Sequence, residues 1–144
     1  MSKIDITKVS DEDLCSMGGR LQKAHDYVEA HGFDIMKYGP GMNGECCFIG
    51  AVKVVGGEPG EPAGEAAPDY VAKALCLMDD VILREHPSDE FRRLGDYPGS
   101  DVEGWGMGTL RYKPSSDQSE EALPIYRKAL REVYNEIERR ENIK

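Results

Sequence analysis

No apolar run in this chain approaches the ~20 residues that a membrane span requires. Its opening residues, Met1 to Lys8, lack the apolar stretch of a signal peptide. The expectation is a cytoplasmic protein that does not enter a membrane. Basic residues are scarce: 18 Lys and Arg stand against 27 Asp and Glu, a formal net charge of -9 on 144 residues. A phosphate backbone is held by a stripe of Lys and Arg, so this balance argues against direct nucleic-acid binding. The four cysteines, Cys15, Cys46, Cys47 and Cys76, contain no Cys-x-x-Cys, and no histidine follows at zinc-finger spacing. Without a secretory context they read as reduced thiols, with Cys15 and Cys76 as small core residues on helices. No Gly-x-x-x-x-Gly-Lys-Ser/Thr loop is present, and no Gly-x-Gly-x-x-Gly lies between a strand and a helix. No metal and no cofactor are expected.

The sequence does carry helical periodicity. Ser10 is followed by an acidic turn, and then Leu14, Met17, Leu21, Ala24 and Val28 recur at spacings of three and four, the stripe of an amphipathic helix. Gly18 and Gly19 interrupt it, which implies either a separate first turn or a close helix crossing. Gly32 supplies the stop, with Phe33 folding back on the last turn. Residues 45 to 55 form an apolar run that fits a strand or a helix, and a helix capped by Asn43 is preferred. Pro68 opens a third helix, with Val71, Leu75, Met78 and Ile82 buried; Asp79 and Asp80 lie off that stripe and are expected in solvent. Leu123, Tyr126, Leu130, Val133 and Ile137 mark the last helix, which begins or kinks at Pro124. Between these two helices, residues 87 to 116 are polar and glycine-rich. A single turn over Asp89 to Leu94 and a short extended segment around Trp105 are the structure expected there. The fold class is therefore all-α, a single domain over residues 1–144: a compact bundle of about four helices with a long irregular segment, wide enough for a short hairpin, before the last helix.

Three blocks occur together: Ala24 to Phe33 (AHDYVEAHGF), Cys46 to Val52 (CCFIGAV), and a tryptophan followed by a final helix starting near Glu120 to Leu123 (EEAL). In this order the chain resembles a family of small helical proteins, without an assigned activity, from actinobacteria and their bacteriophages. The family pattern has a helix ending in Gly-aromatic, a Cys-x-x-Gly-Ala helix start, a Trp-Asn-Asp motif and a last helix. Cys47 to Ala51 carries the most specific match. Trp105 is followed by Gly106 and Met107 instead of Asn-Asp, so no role of those two residues carries over. The resemblance implies an all-helical fold and a phage or bacterial source.

The candidate functional residues are few. Cys47 with His25 or His31 could form a nucleophile and base, although no local signature accompanies them. His25 and His31 are six apart, about 240° around a helix, and cannot share a metal as an i, i+4 pair would. Trp105, the only tryptophan, is set beside Glu103 among glycines, where a backbone can approach a ligand and a tryptophan can anchor an interface. Residues 43 to 70 carry Glu45, Glu58, Glu61, Glu65 and Asp69 against Lys53 alone, a local net of -4. This makes Glu58, Glu61 and Glu65 a candidate acidic binding loop. These features favour a non-enzymatic acidic protein, plausibly phage-encoded, that binds a host or phage protein as a monomer or homodimer. A small cysteine-dependent hydrolase or transferase is the alternative from another class. A nucleic-acid mimic that meets a basic protein is the third reading.

Overall fold

The computed structural model describes residues 2–58, 67–87, 91 and 94–143. Among them it contains five α-helices and no strand: α1 (Asp11–His31), α2 (Phe48–Val54), α3 (Asp69–Glu85), α4 (Ser100–Thr109) and α5 (Ser115–Asn142), with a single 3-10 turn at Ile6–Lys8 before α1. The all-α expectation holds. The fourth helix of the chain, α4, occupies the stretch expected to be irregular.

Helices α1 and α5 form the longest contact. The Ser10 side chain caps α1 by accepting the Asp13 N–H at 3.1 Å, and Asp11, Glu12 and Asp13 sit where the helix dipole favours negative charge. Gly32, with φ of 91°, ends the helix in a conformation that side chains rarely adopt. The helix runs unbroken through Gly18 and Gly19. A Cβ at Gly18 would lie 3.2 Å from Val133 Cγ1 of α5, so the small residue there answers to a close crossing. α5 likewise runs through Pro124 instead of beginning there. Glu120, four residues earlier, is exposed, so water can serve the carbonyl that Pro124 leaves without a donor.

The two short helices owe their position to residues distant in sequence. Residue 46 pairs with Phe33 in an isolated parallel bridge, and Cys47, instead of Asn43, is the N-cap of α2, its sulfur accepting the Gly50 N–H at 3.3 Å. Helix α2 is buried from Phe48 to Lys53, wrapped by Phe33, Trp105 and Tyr126. Phe48 meets these at ring distances of 4.6, 6.2 and 5.7 Å.

Asp79 and Asp80 are not in solvent: they are 0% and 5% exposed. Asp79 Oδ2 accepts the Gly99 N–H and Oδ1 the Val102 N–H, each at 2.8 Å, so an α3 carboxylate caps α4. Lys3 Nζ reaches Asp79 at 2.7 Å and Asp101 at 2.8 Å, while Asp80 accepts the N–H groups of Lys3 and Ile4. Buried charge is tolerated when it is paired and hydrogen-bonded in this way. The node ties the N-terminal segment, α3 and α4 together.

Candidate functional site

The most unusual chemistry lies where α2 and α4 meet. Glu103 of α4 is 1% exposed, and its Oε1 accepts the Ile49 N–H at 2.7 Å. The Phe48 N–H and the Cys47 thiol also donate to this carboxyl. A helix N-terminus presents unpaired N–H groups and a positive dipole end, and here a carboxyl from another helix answers both. Tyr126 of α5 donates its hydroxyl to the Phe48 carbonyl at 3.1 Å, and Tyr38 and Tyr97 are hydrogen-bonded to each other nearby. Burial pushes the Glu103 carboxyl up to about 7, against the pull of the Ile49 amide and the Cys47 thiol. Burial, and then the facing Glu103, push the Cys47 thiol well above its ordinary range. The pair is therefore a protonated thiol beside a carboxyl that holds its proton close to neutrality. A nucleophile needs the opposite shift, and needs access; Cys47 is 0% exposed.

The histidines stand elsewhere. His25 Nε2 accepts from Arg127 Nε at 3.0 Å and Nδ1 faces Asp26 at 3.1 Å. His31 is exposed at the end of α1 with its ring against Tyr27 at 4.5 Å. His86 stacks on Trp105 at 4.7 Å. The contacts of His25 are with Arg127 and Asp26 and the ring contact of His31 is with Tyr27, whereas the thiol of Cys47 faces Glu103.

The binding candidates are also redistributed. Trp105 is 1% exposed and packs between Phe48 and His86, and Glu103 caps α2, so both lie inside the molecule. The tryptophan is large enough to fill the space between α2 and α4. Glu58 is held by Arg20, whose guanidinium also reaches the Val52 carbonyl and the Tyr70 hydroxyl. Its carboxylate is thus neutralised by a buried arginine. Glu61 and Glu65 lie outside the described residues, as do most of Asp89 to Leu94. Cys15 is exposed, and Cys76 is partly so, its thiol pushed up to about 11 by burial.

Comparison with protein families, curated proteins and solved structures finds no match.

One group of described residues has donor atoms close enough for a metal: His25, Asp26 and Glu29, within 4.8 Å of one another. The imidazole is in the wrong state for it. Arg127 Nε–H donates to Nε2, which places the ring proton on Nδ1, where it faces Asp26. Neither nitrogen is left with a lone pair for a metal while Arg127 stays in place. The same arginine borders a groove of about 330 Å³ between α1 and α5, lined by Gln22, His25, Arg127, Leu130, Arg131 and Tyr134. Of these, His25 stands out in the sequence as a candidate base and Leu130 as part of the buried stripe of α5. The signal for Arg127, Arg131 and Tyr134 is their i, i+4 and i+7 spacing along the edge of that stripe.

Proposed function

We propose that the chain is a non-enzymatic binding protein that acts by contact with another protein, of a bacterial host or of a phage. The observation that carries this reading is the enclosure of the Cys47–Glu103 pair. The thiol and the carboxyl that could serve a cysteine enzyme are sealed between α2 and α4, their donors and acceptors matched within the fold. Among the described residues no buried side-chain polar atom is left without a partner. A cysteine hydrolase would hold such a residue open to substrate, beside a base.

The nucleic-acid mimic is less favoured, because many acidic side chains among the described residues are paired with cations. Glu45 meets Lys37, Asp13 meets Lys73, Glu85 meets Lys128, Glu132 meets Arg84, and Glu136 meets Arg139 and Arg140. The carboxylates are interleaved with cations.

The test is capture of a partner from bacterial or phage-infected lysate by wild-type chain and by Cys47→Ala in parallel. A partner held at a fixed stoichiometry, equally by both and without a reductant-sensitive bond, is the expected result. Capture that requires the Cys47 sulfur, or turnover of an ester or thioester probe that Cys47→Ala abolishes, would reverse the reading.

A further inference from the structure

On α5, Arg127, Leu130, Arg131 and Tyr134 fall at i, i+3, i+4 and i+7, which places them on one face of the helix. Among the described residues this face, with Gln22 and His25 of α1, lines an open groove of about 330 Å³. Leu130, 6% exposed, forms the floor, and Tyr134 keeps 47% of its surface in solvent.

The charged side chains that line the groove are both arginines, although the chain carries -9 overall and Glu138 follows one turn beyond Tyr134 on the same face of α5. Arg127 is oriented by its bond to His25, and its outer nitrogen stands 3.8 Å from Glu29, with both side chains more than half exposed. Such a pair contributes little and yields readily to a better acceptor. Arg131 is exposed and makes no ion pair among the described residues. Asp26, beside the groove, is engaged by Gln22 and His25 of its own helix.

The spacing adds selectivity. Arg127 and Arg131 are one turn apart, about 6 Å along the axis. Two carboxylates at i and i+4 of another helix have the same separation, and each can be received bidentately by a guanidinium. Leu130 and the Tyr134 ring would meet the apolar side chains beside them. Arginine and tyrosine are the residue types that carry binding energy where an interface is closed from water.

We propose that the α1–α5 groove docks an acidic amphipathic helix of a partner protein. Carboxylates one turn apart on that helix pair with Arg127 and Arg131, and its apolar residues cover Leu130 and Tyr134. The proposal rests on the binding-protein reading and supplies the chemistry of the partner. A second copy meeting this face with its own suits it less well, because a two-fold contact would set Arg127 and Arg131 against the same arginines of the other copy.

The experiment uses the isotope-labelled full-length chain and a stapled helical peptide with Glu at i and i+4 and Leu beside them, together with otherwise identical Gln and Lys peptides. The Glu peptide should give saturable amide shifts centred on residues 127 to 134. The Gln peptide should bind at least tenfold more weakly, and the Lys peptide should not bind. Arg131→Glu should lose the Glu peptide at least tenfold and accept the Lys peptide. Tyr134→Ala should weaken the Glu peptide severalfold. Both positions are exposed, and unchanged spectra away from the groove verify the fold. Equal binding of the Glu and Gln peptides, shifts centred elsewhere, or no saturable shift would overturn the proposal. So would a dimer in sedimentation that Arg131→Glu dissociates, which assigns the face to a second copy. If the peptides fail while Cys47-independent capture of a partner persists, the binding reading stands and only this partner chemistry falls.

Discussion

Replacing Glu103 by Gln changes one buried proton and little of the shape, so it isolates the energetics of the α2–α4 contact. In the folded chain the Glu103 carboxyl is pushed up to about 7, whereas its ordinary value is 4.5. Between those two values the folded state holds a proton that the unfolded state has released. Stability must therefore fall as pH rises from about 4.5 to about 7, by about 3 kcal/mol from this group alone. Glu103→Gln carries no such proton. Its amide oxygen can still accept the Ile49 N–H, and its NH2 can face the Cys47 sulfur. Urea unfolding of both proteins at intervals from pH 4.5 to 8.5 gives the difference between them, in which the other titrating groups largely cancel. The variant should gain about 3 kcal/mol relative to wild type across this range, with most of the gain complete by pH 7.5. A difference that stays flat within about 0.5 kcal/mol would mean that the carboxyl ionises alike in the folded and unfolded states, contrary to its burial.

Two glycines one residue apart on α1 should respond with opposite sign. Gly19 has open space where a Cβ would stand, so Gly19→Ala should stabilise by about 0.5–1 kcal/mol. At Gly18 the added methyl would press on Val133 at 3.2 Å, and thermal melts should show Gly18→Ala neutral or destabilising. Asp79→Ala would leave the buried Gly99 and Val102 amides without their acceptor and the Lys3 ammonium with Asp101 as its one remaining ion-pair partner, at a cost of about 3 kcal/mol. Amide exchange in that variant should accelerate in α4 before it does in α1 or α5.

The helices that could be read from the sequence are those whose stabilising features are local. α1 carries its own cap, stripe and stop in Ser10, Leu14 to Val28 and Gly32, and the buried stripe of α5 from Tyr126 to Val133 follows its spacing. α4 carries none of these. It holds three glycines, has no side-chain cap of its own, and takes its N-terminal acceptor from Asp79, 20 residues earlier in the chain. The same long-range bond explains why Asp79 looks like a surface residue in sequence and is buried in the fold. At the candidate site, Cys47 and Glu103 could be singled out by residue type, but their pairing across 56 positions could not. The groove residues were hidden for another reason: arginines at the edge of a buried stripe look like an ordinary solvated face until α1 is placed beside them.

We propose that the Cys47–Glu103 pair is structural and that function lies on the surface. Site-resolved alkylation of the four thiols, followed by mass spectrometry from pH 6.5 to 9, distinguishes this from a reactive cysteine. Cys15, which is exposed, should be labelled promptly, and Cys47 should be labelled only at the rate of global unfolding, slowed or hastened in step with stability. Rapid labelling of Cys47 in the folded chain, with a thiolate forming below pH 8.5, would contradict the claim and restore the cysteine enzyme.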